Sequence, residues 1–202
     1  MAVWRERKPL ILASQSQVRQ TLLANAGLSF EAQPATIDER AIQQNSGLTV
    51  ASEIAARLAY EKARSVSLRS PGRYVIGADQ TLECNGLLFN KPAGREGAME
   101  HLRALSGRTH VLHAAVAVVR DGIPIFEDVS VARMTMRDLS EDTIEAYLDV
   151  AGDAVTTSVG AYQLEGLGVH LFSRIEGDHF TILGLPLLPL LAFLRSQGLL
   201  SL

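Results

Sequence analysis

With 202 residues the chain can form one large domain or two small lobes around an ample core. Its composition, 47% apolar and 5% aromatic, is that of a soluble globular protein and excludes a disordered chain. A formal charge of −3 gives no global basic field, so nucleic acid is not an expected partner and any anion site must be local. The one cysteine, Cys84, allows no intrachain disulfide and reads as a small buried apolar residue, which fits a reducing cytosol. The apolar run after Arg5, Arg7 and Lys8 is too short for a signal peptide. The run 182–194 is too short to span a bilayer and holds Pro186 and Pro189. These features predict a cytoplasmic protein without a membrane partner.

In chain order, Leu10–Ala13 reads as a buried strand. Ser16 can cap a helix from about Gln17 to Ala26, stopped by Gly27. Phe30–Gln33 reads as a second strand. Pro34–Gly47 is polar and reads as irregular. Val50–Val66 has Ile54, Leu58 and Ala59 at helical spacing. Tyr74–Ala78 reads as a short buried strand. Leu82–Phe89 reads as a hairpin turning at Asn85-Gly86. Arg95–Leu105 is a helix ended by Gly107. His110–Val119 and Ile125–Met136 are long paired strands joined at Asp121-Gly122. Ser140 starts a helix through Leu148. Residues 151–168 form a shaped loop, Val169–Ile175 a strand, and Pro186 opens the last helix. The fold class expected is α/β: a mixed twisted sheet flanked by helices, with two unequal lobes around a cleft. The whole chain, 1–202, is one domain, with a smaller inserted lobe at roughly 79–140.

Three polar patches interrupt this apolar frame: Ser14-Gln-Ser16-Gln-Val-Arg19, Gly77-Ala-Asp79-Gln80 and Asn90-Lys91-Pro92. Each falls at an expected strand end, where α/β proteins bind ligands. At a helix N-terminus, Ser14 and Ser16 can add hydroxyl bonds to free amides that face a phosphate, and Arg19 can reach back to the same anion. The same residues also fit an ordinary N-cap and a solvated arginine. Asp79, a carboxylate after an apolar run, needs a task or a partner: a metal, a proton from water, or the cap of a turn. Glu39, in a polar loop, could be a second metal ligand, hold Arg19 or be solvated. Lys62 and Lys91 could meet phosphate; a lone helical lysine is usually solvated. No HExxH, GxSxG or P-loop spacing occurs, which leaves zinc, serine-hydrolase and P-loop chemistry unsupported.

Taken in order, nine landmarks from Leu10 to the last helix resemble the Maf family of nucleotide pyrophosphatases. They run from Ser14-x-Ser16-x-x-Arg19 and Asp38-Glu39 through Arg57-Leu-Ala-x-x-Lys62-Ala63, Gly77-Ala-Asp79, Lys91-Pro92 and Leu105-Ser-Gly-Arg-Thr-His110. Gly160-Ala-Tyr162 with Glu165-Gly166, Glu176-Gly177 and Gly184-Leu-Pro186 complete the set. The resemblance implies hydrolysis of a nucleoside triphosphate between its α and β phosphates, with Mg²⁺ or Mn²⁺ as cofactor. It implies that Asp79 and Glu39 are catalytic, Asp79 as the base that activates water and Glu39 as the acid that serves metal or water, that both serve the metal, and that Ser14, Ser16, Arg19, Lys62 and Lys91 hold phosphate. A homodimer is usual for such a family. Many members read Ser-Pro-Arg-Arg at the first patch, where this chain has Gln17 and Val18 before Arg19. Ser158 stands where many members carry lysine. Gln80 and Glu165 replace the threonine and glutamine of the thymidine/uridine triphosphate branch, and with Val18 they bear on base choice. This combination is similar to the branch acting on 7-methyl-GTP: Glu165 can accept from the N1–H and amine of a guanine edge, and Gln80 can donate and accept. The competing readings are a dTTP/UTP enzyme of the same family, the inosine triphosphate pyrophosphatase type, and a nucleotide-binding regulator of cell division without turnover.

Overall fold

A computed structural model describes residues 3–202. It contains the mixed sheet flanked by helices that the sequence predicts. Seven strands lie in the order β2-β1-β3-β5-β6-β7, with β4 paired to β3. They are β1 (Leu10–Leu12), β2 (Phe30–Ala32), β3 (Val75–Cys84), β4 (Leu87–Phe89), β5 (Thr109–Arg120), β6 (Ile123–Met136) and β7 (Phe172–Glu176). The α-helices among the described residues are α1 (Gln17–Asn25), α2 (Glu39–Ser46), α3 (Ala51–Ser67), α4 (Gly94–Leu105), α5 (Glu141–Ala151), α6 (His179–Ile182) and α7 (Leu187–Ser196). No helix among the described residues is long and apolar enough to cross a membrane.

Contacts divide the chain into two compact units. The first comprises residues up to Gln80, Ala114–Ser130 and Leu183–Leu202. Here β1 pairs in parallel with both β2 and β3, Leu10 opposite Phe30 and Leu12 opposite Ile76. All three β1 residues are buried, which is why its sequence is a continuous apolar run rather than an alternation. Helix α3 buries Ile54, Ala55, Leu58, Ala59, Ala63 and Val66, one stripe at helical spacing. Ala63 and Val66 pack against Ile11, Val75 and Val119. Ala55 and Ala59 pack against Ala115 and Ala117, small against small, which lets backbones approach. The two ends of the chain meet: Arg5 N donates to the Leu199 carbonyl at 3.0 Å, and Trp4 bridges to Leu200.

The second unit comprises Thr81–His113 and Val131–Ile182. Its core contains Leu82, Leu102, Leu105, Leu112, Met134 and Ile144. Truncating one such leucine to alanine costs about 2–5 kcal/mol. Buried at its centre, His110 Nε2 lies 2.7 Å from the Tyr162 hydroxyl, and the Tyr162 ring stands edge-on to Phe172 at 4.7 Å. On the outside, Arg103 makes a forked pair with Glu141 across α4 and α5.

Four local expectations change. Pro34–Gly47 is not wholly irregular, because Asp38 accepts from Ala41 N at 2.9 Å and caps α2, and Gly47 closes it at φ 66°. The strand begun at Tyr74–Ala78 does not stop there but runs on as β3 to Cys84, so Asp79 lies inside a strand. Residues 151–168 fold into short 3₁₀ turns at Gly152–Thr156 and Val159–Ala161 and enter a third, Leu167–Leu171. That third turn takes Val169–Leu171 out of the expected strand, so β7 starts at Phe172.

Candidate active site

The first unit gathers most of the polar residues singled out in the sequence. After β1 the chain turns at Ser14, whose buried hydroxyl accepts from Ser16 N at 3.1 Å. Ser16 then caps α1, accepting from Arg19 N at 3.4 Å. Both hydroxyls thus order the first turn of α1 and keep an O–H to donate. Val18, half-buried, lies on the same turn.

Arg19 points back along this turn. Its Nε donates to the Gly184 carbonyl at 2.8 Å, its Nη1 to the Ala78 carbonyl at 2.8 Å, and Nη1 also reaches Ser14 Oγ at 3.5 Å. The bond to Ala78 has a simple origin. In the β1–β3 ladder, Ile11 N takes the Tyr74 carbonyl and Ala13 N the Ile76 carbonyl. Alternation turns the Ala78 carbonyl to the same side, where β1 has ended. A buried carbonyl needs a donor, and the guanidinium supplies it.

Lys62 is brought to β3 by Gly77. A Cβ at Gly77 would drive into the Ala59 carbonyl and sit 2.7 Å from Ala63 N, so only glycine lets α3 lie this close. Lys62 Nζ then donates to Asp79 Oδ1 at 2.6 Å and to Glu39 Oε1 at 3.0 Å. The two carboxylate oxygens therefore lie within the sum of those distances of each other. Asp79 is buried, whereas the Glu39 side chain is half exposed. Burial pushes the Asp79 carboxyl above the usual carboxylate range, and Lys62 and Arg19 pull it back toward the charged form. A carboxylate held this way can take a proton from water, and the flanking cations can face an anion.

Glu39 also lines an open depression of about 740 Å³, together with Gln15, Pro34, Thr36, Ile37 and Arg40. That volume suits a nucleotide-sized ligand. Glu39 is the first residue of α2 rather than a loop residue. Gln80 follows Asp79 on β3, and a Cβ at Gly184 would lie 3.5 Å from its Oε1. Lys91 and Glu165 belong to the second unit: Lys91 is exposed after β4, and Glu165 is exposed in the turn between two 3₁₀ segments. Sequence reading gave no role to Gly184 or to the Arg40 and Gln15 wall. The glycine was visible as part of Gly184-Leu-Pro186, but its partner lies far away in the chain.

Among the described residues no group of three or more His, Cys, Asp or Glu side chains is arranged to hold a metal. Glu39 and Asp79 remain as a pair of hard oxygen donors. That pair fits a cation that takes one or two protein carboxylates and completes its shell with water and phosphate, as Mg²⁺ does.

A family model described as Maf-like protein matches residues 9–197. A protein of Nitrobacter hamburgensis named nucleoside triphosphate pyrophosphatase is 84% identical over 202 residues, all of both chains. One of the same name from Rhodopseudomonas palustris is 65% identical over 201 residues, again covering both chains fully. A protein of Mesorhizobium japonicum named 7-methyl-GTP pyrophosphatase is 52% identical over 192 residues, 94% of this chain and 96% of that one.

Proposed function

The chain belongs to the Maf family, and from that membership we propose that it is a nucleoside triphosphate pyrophosphatase of the cytoplasm. The observation that carries the reading is Asp79, a carboxylate buried inside a strand and held by Lys62 beside Glu39. A purely structural strand would spend an apolar residue at this position.

In the reaction, Asp79 takes a proton from water as the oxygen attacks the α phosphorus. The new P–O bond forms as the bond to the bridging α–β oxygen breaks. The nucleoside monophosphate and pyrophosphate leave. A positioned base contributes about 10²–10⁴-fold. Ser14, Ser16, the Nη2 edge of Arg19 and Lys62 hold the phosphates and offset the charge that the attack must meet. Lys62 has a second task, since it pulls Asp79 back toward the charged form that burial disfavours. Glu39 and Asp79 would hold the divalent cation, Mg²⁺ or Mn²⁺, which when bound neutralises phosphate oxygens and orients the group.

For the base we propose 7-methylguanine. The likeness to the 7-methyl-GTP branch at Gln80 and Glu165 supports it: a carboxylate such as Glu165 can accept from the N1–H and the amine of a guanine edge, an amide such as Gln80 can donate and accept, and valine at position 18 stands where an arginine is common. Methylation at N7 makes the purine cationic, which a carboxylate favours. The name of the Mesorhizobium relative supports this choice.

The test is a panel of 7-methyl-GTP, GTP, UTP, dTTP, CTP and ITP with Mn²⁺ or Mg²⁺, scored for pyrophosphate against orthophosphate. Pyrophosphate is expected, most of it from 7-methyl-GTP, falling by about 10²–10⁴-fold in Asp79→Asn. Tight nucleotide binding with no pyrophosphate from either protein would sink the enzyme reading and leave a binding regulator.

A further inference from the structure

We propose that Arg19 and Gly184 form a clamp that fixes the segment of β3 carrying Asp79, which makes Gly184 a positioning residue for the hydrolysis proposed above. Three observations carry it. First, two nitrogens of one planar guanidinium donate at 2.8 Å to backbone carbonyls 59 and 165 residues away in the chain. The fork is rigid, so the two carbonyls are held at a set separation. Second, the Ala78 carbonyl belongs to the peptide that leads into Asp79, and it lies where β1 no longer supplies a donor. Without the guanidinium this carbonyl has no donor on the β1 side, and β3 is held there by its other edge alone, at the one residue that must be placed to a fraction of an ångström.

Third, Gly184 lies at φ +84°, and a Cβ there would sit 3.3 Å from Arg19 Nη2 and 3.5 Å from Gln80 Oε1. The glycine therefore does two things. It adopts the left-handed turn that aims its carbonyl at Arg19 Nε, and it leaves the guanidinium its space. A Cβ at 184 asks the guanidinium to give by a few tenths of an ångström, and that shift passes to the Ala78–Asp79 peptide. The residue touches no reacting atom, so its effect is on placement.

The experiment compares Gly184→Ala with Gly198→Ala. Gly198 has a similar left-handed φ of +68° but nothing within 4 Å of its Cβ position. Both variants carry the backbone cost, and only the first crowds Arg19. Gly184→Asn is the second variant, since asparagine tolerates the left-handed region while still presenting a Cβ. Two readouts are taken on the full chain: steady-state pyrophosphate release, and the Arg19 Nε–H resonance in a nitrogen–proton correlation spectrum. The kinetic readout rests on the pyrophosphatase reading; the resonance does not.

In Gly184→Ala and Gly184→Asn, kcat is expected to fall by about 10- to 100-fold with KM little changed. The Arg19 Nε–H resonance should move or broaden, and Gly198→Ala should match wild type in both. Adding Gly184→Ala to Arg19→Lys should cost nothing further, since the clamp is already broken. The clamp is overturned if Gly184→Ala behaves as Gly198→Ala does, or if its loss adds in full to that of Arg19→Lys. If wild type releases no pyrophosphate while the resonance responds to Gly184→Ala alone, the clamp stands and the pyrophosphatase reading falls.

Discussion

Two regions of this molecule bury ionisable groups and handle them in opposite ways. In the first unit, Asp79 is surrounded by cations: Lys62 bonds it at 2.6 Å, and Arg19 acts on it through space. In the second unit, His110 has no charged partner. It faces the Tyr162 hydroxyl, and burial alone pushes it down to about 4. Around Asp79, cations oppose the burial that favours its neutral form. A polar group that only joins elements is made neutral, because a neutral pair needs one hydrogen bond and no counter-ion.

The contrast can be broken most severely at Lys62. Lys62→Met strips Asp79 and Glu39 of their shared cation. Pyrophosphate release should fall by about 100-fold. The sign of the pH effect follows from the same geometry. Losing a cation lets burial raise the Asp79 carboxyl further, so the acid limb of the rate profile moves to higher pH. A variant with the wild-type rate and an unmoved limb would show that charge pairing does not hold this region.

His110 sharpens the other side. Its folded-state value of about 4 lies below its ordinary 6.5, so the folded protein binds that proton more weakly than the unfolded chain. The corresponding stability is present above pH 6.5 and is lost as pH falls from about 6.5 toward about 4, amounting to about 3 kcal/mol. Denaturant unfolding across that window should show the slope in wild type, and His110→Gln should flatten it. An unchanged slope would mean that another group titrates. Tyr162→Phe, which removes only the hydroxyl facing His110, should cost about 1 kcal/mol. The exposed Arg103–Glu141 fork should contribute nothing measurable: Arg103→Ala is expected to leave the thermal midpoint where it was.

What could be read in the sequence was whatever chemistry is local. Ser16 and Ser140 cap helices within three residues of themselves, and Asn85-Gly86 and Asp121-Gly122 turn hairpins with their own positive φ angles. Helix α2 escaped because it buries none of its residues and so carries no apolar stripe. Asp79 was read as lying beyond a strand because its compensation by Lys62, 17 residues earlier, depends on how α3 lands on Gly77. His110 and Tyr162 lie 52 residues apart, and no spacing rule links them. The polar patches themselves were legible; their bonding to one another was not.

The reach of the Arg19–Gly184 bond also says when this protein can work. During synthesis the chain emerges N-terminus first, and Ser16, Arg19, Lys62 and Asp79 are all available long before residue 184. The bond joins residues 165 apart, and closing so long a loop is entropically costly until the intervening elements are in place. The pairing of Trp4 with Leu200 delays completion further still. A nascent chain halted before residue 184 would carry every acid and base proposed for the first unit, yet lack the tie that steadies them. The onset of activity would then mark the arrival of the last helix rather than the synthesis of the chemical groups.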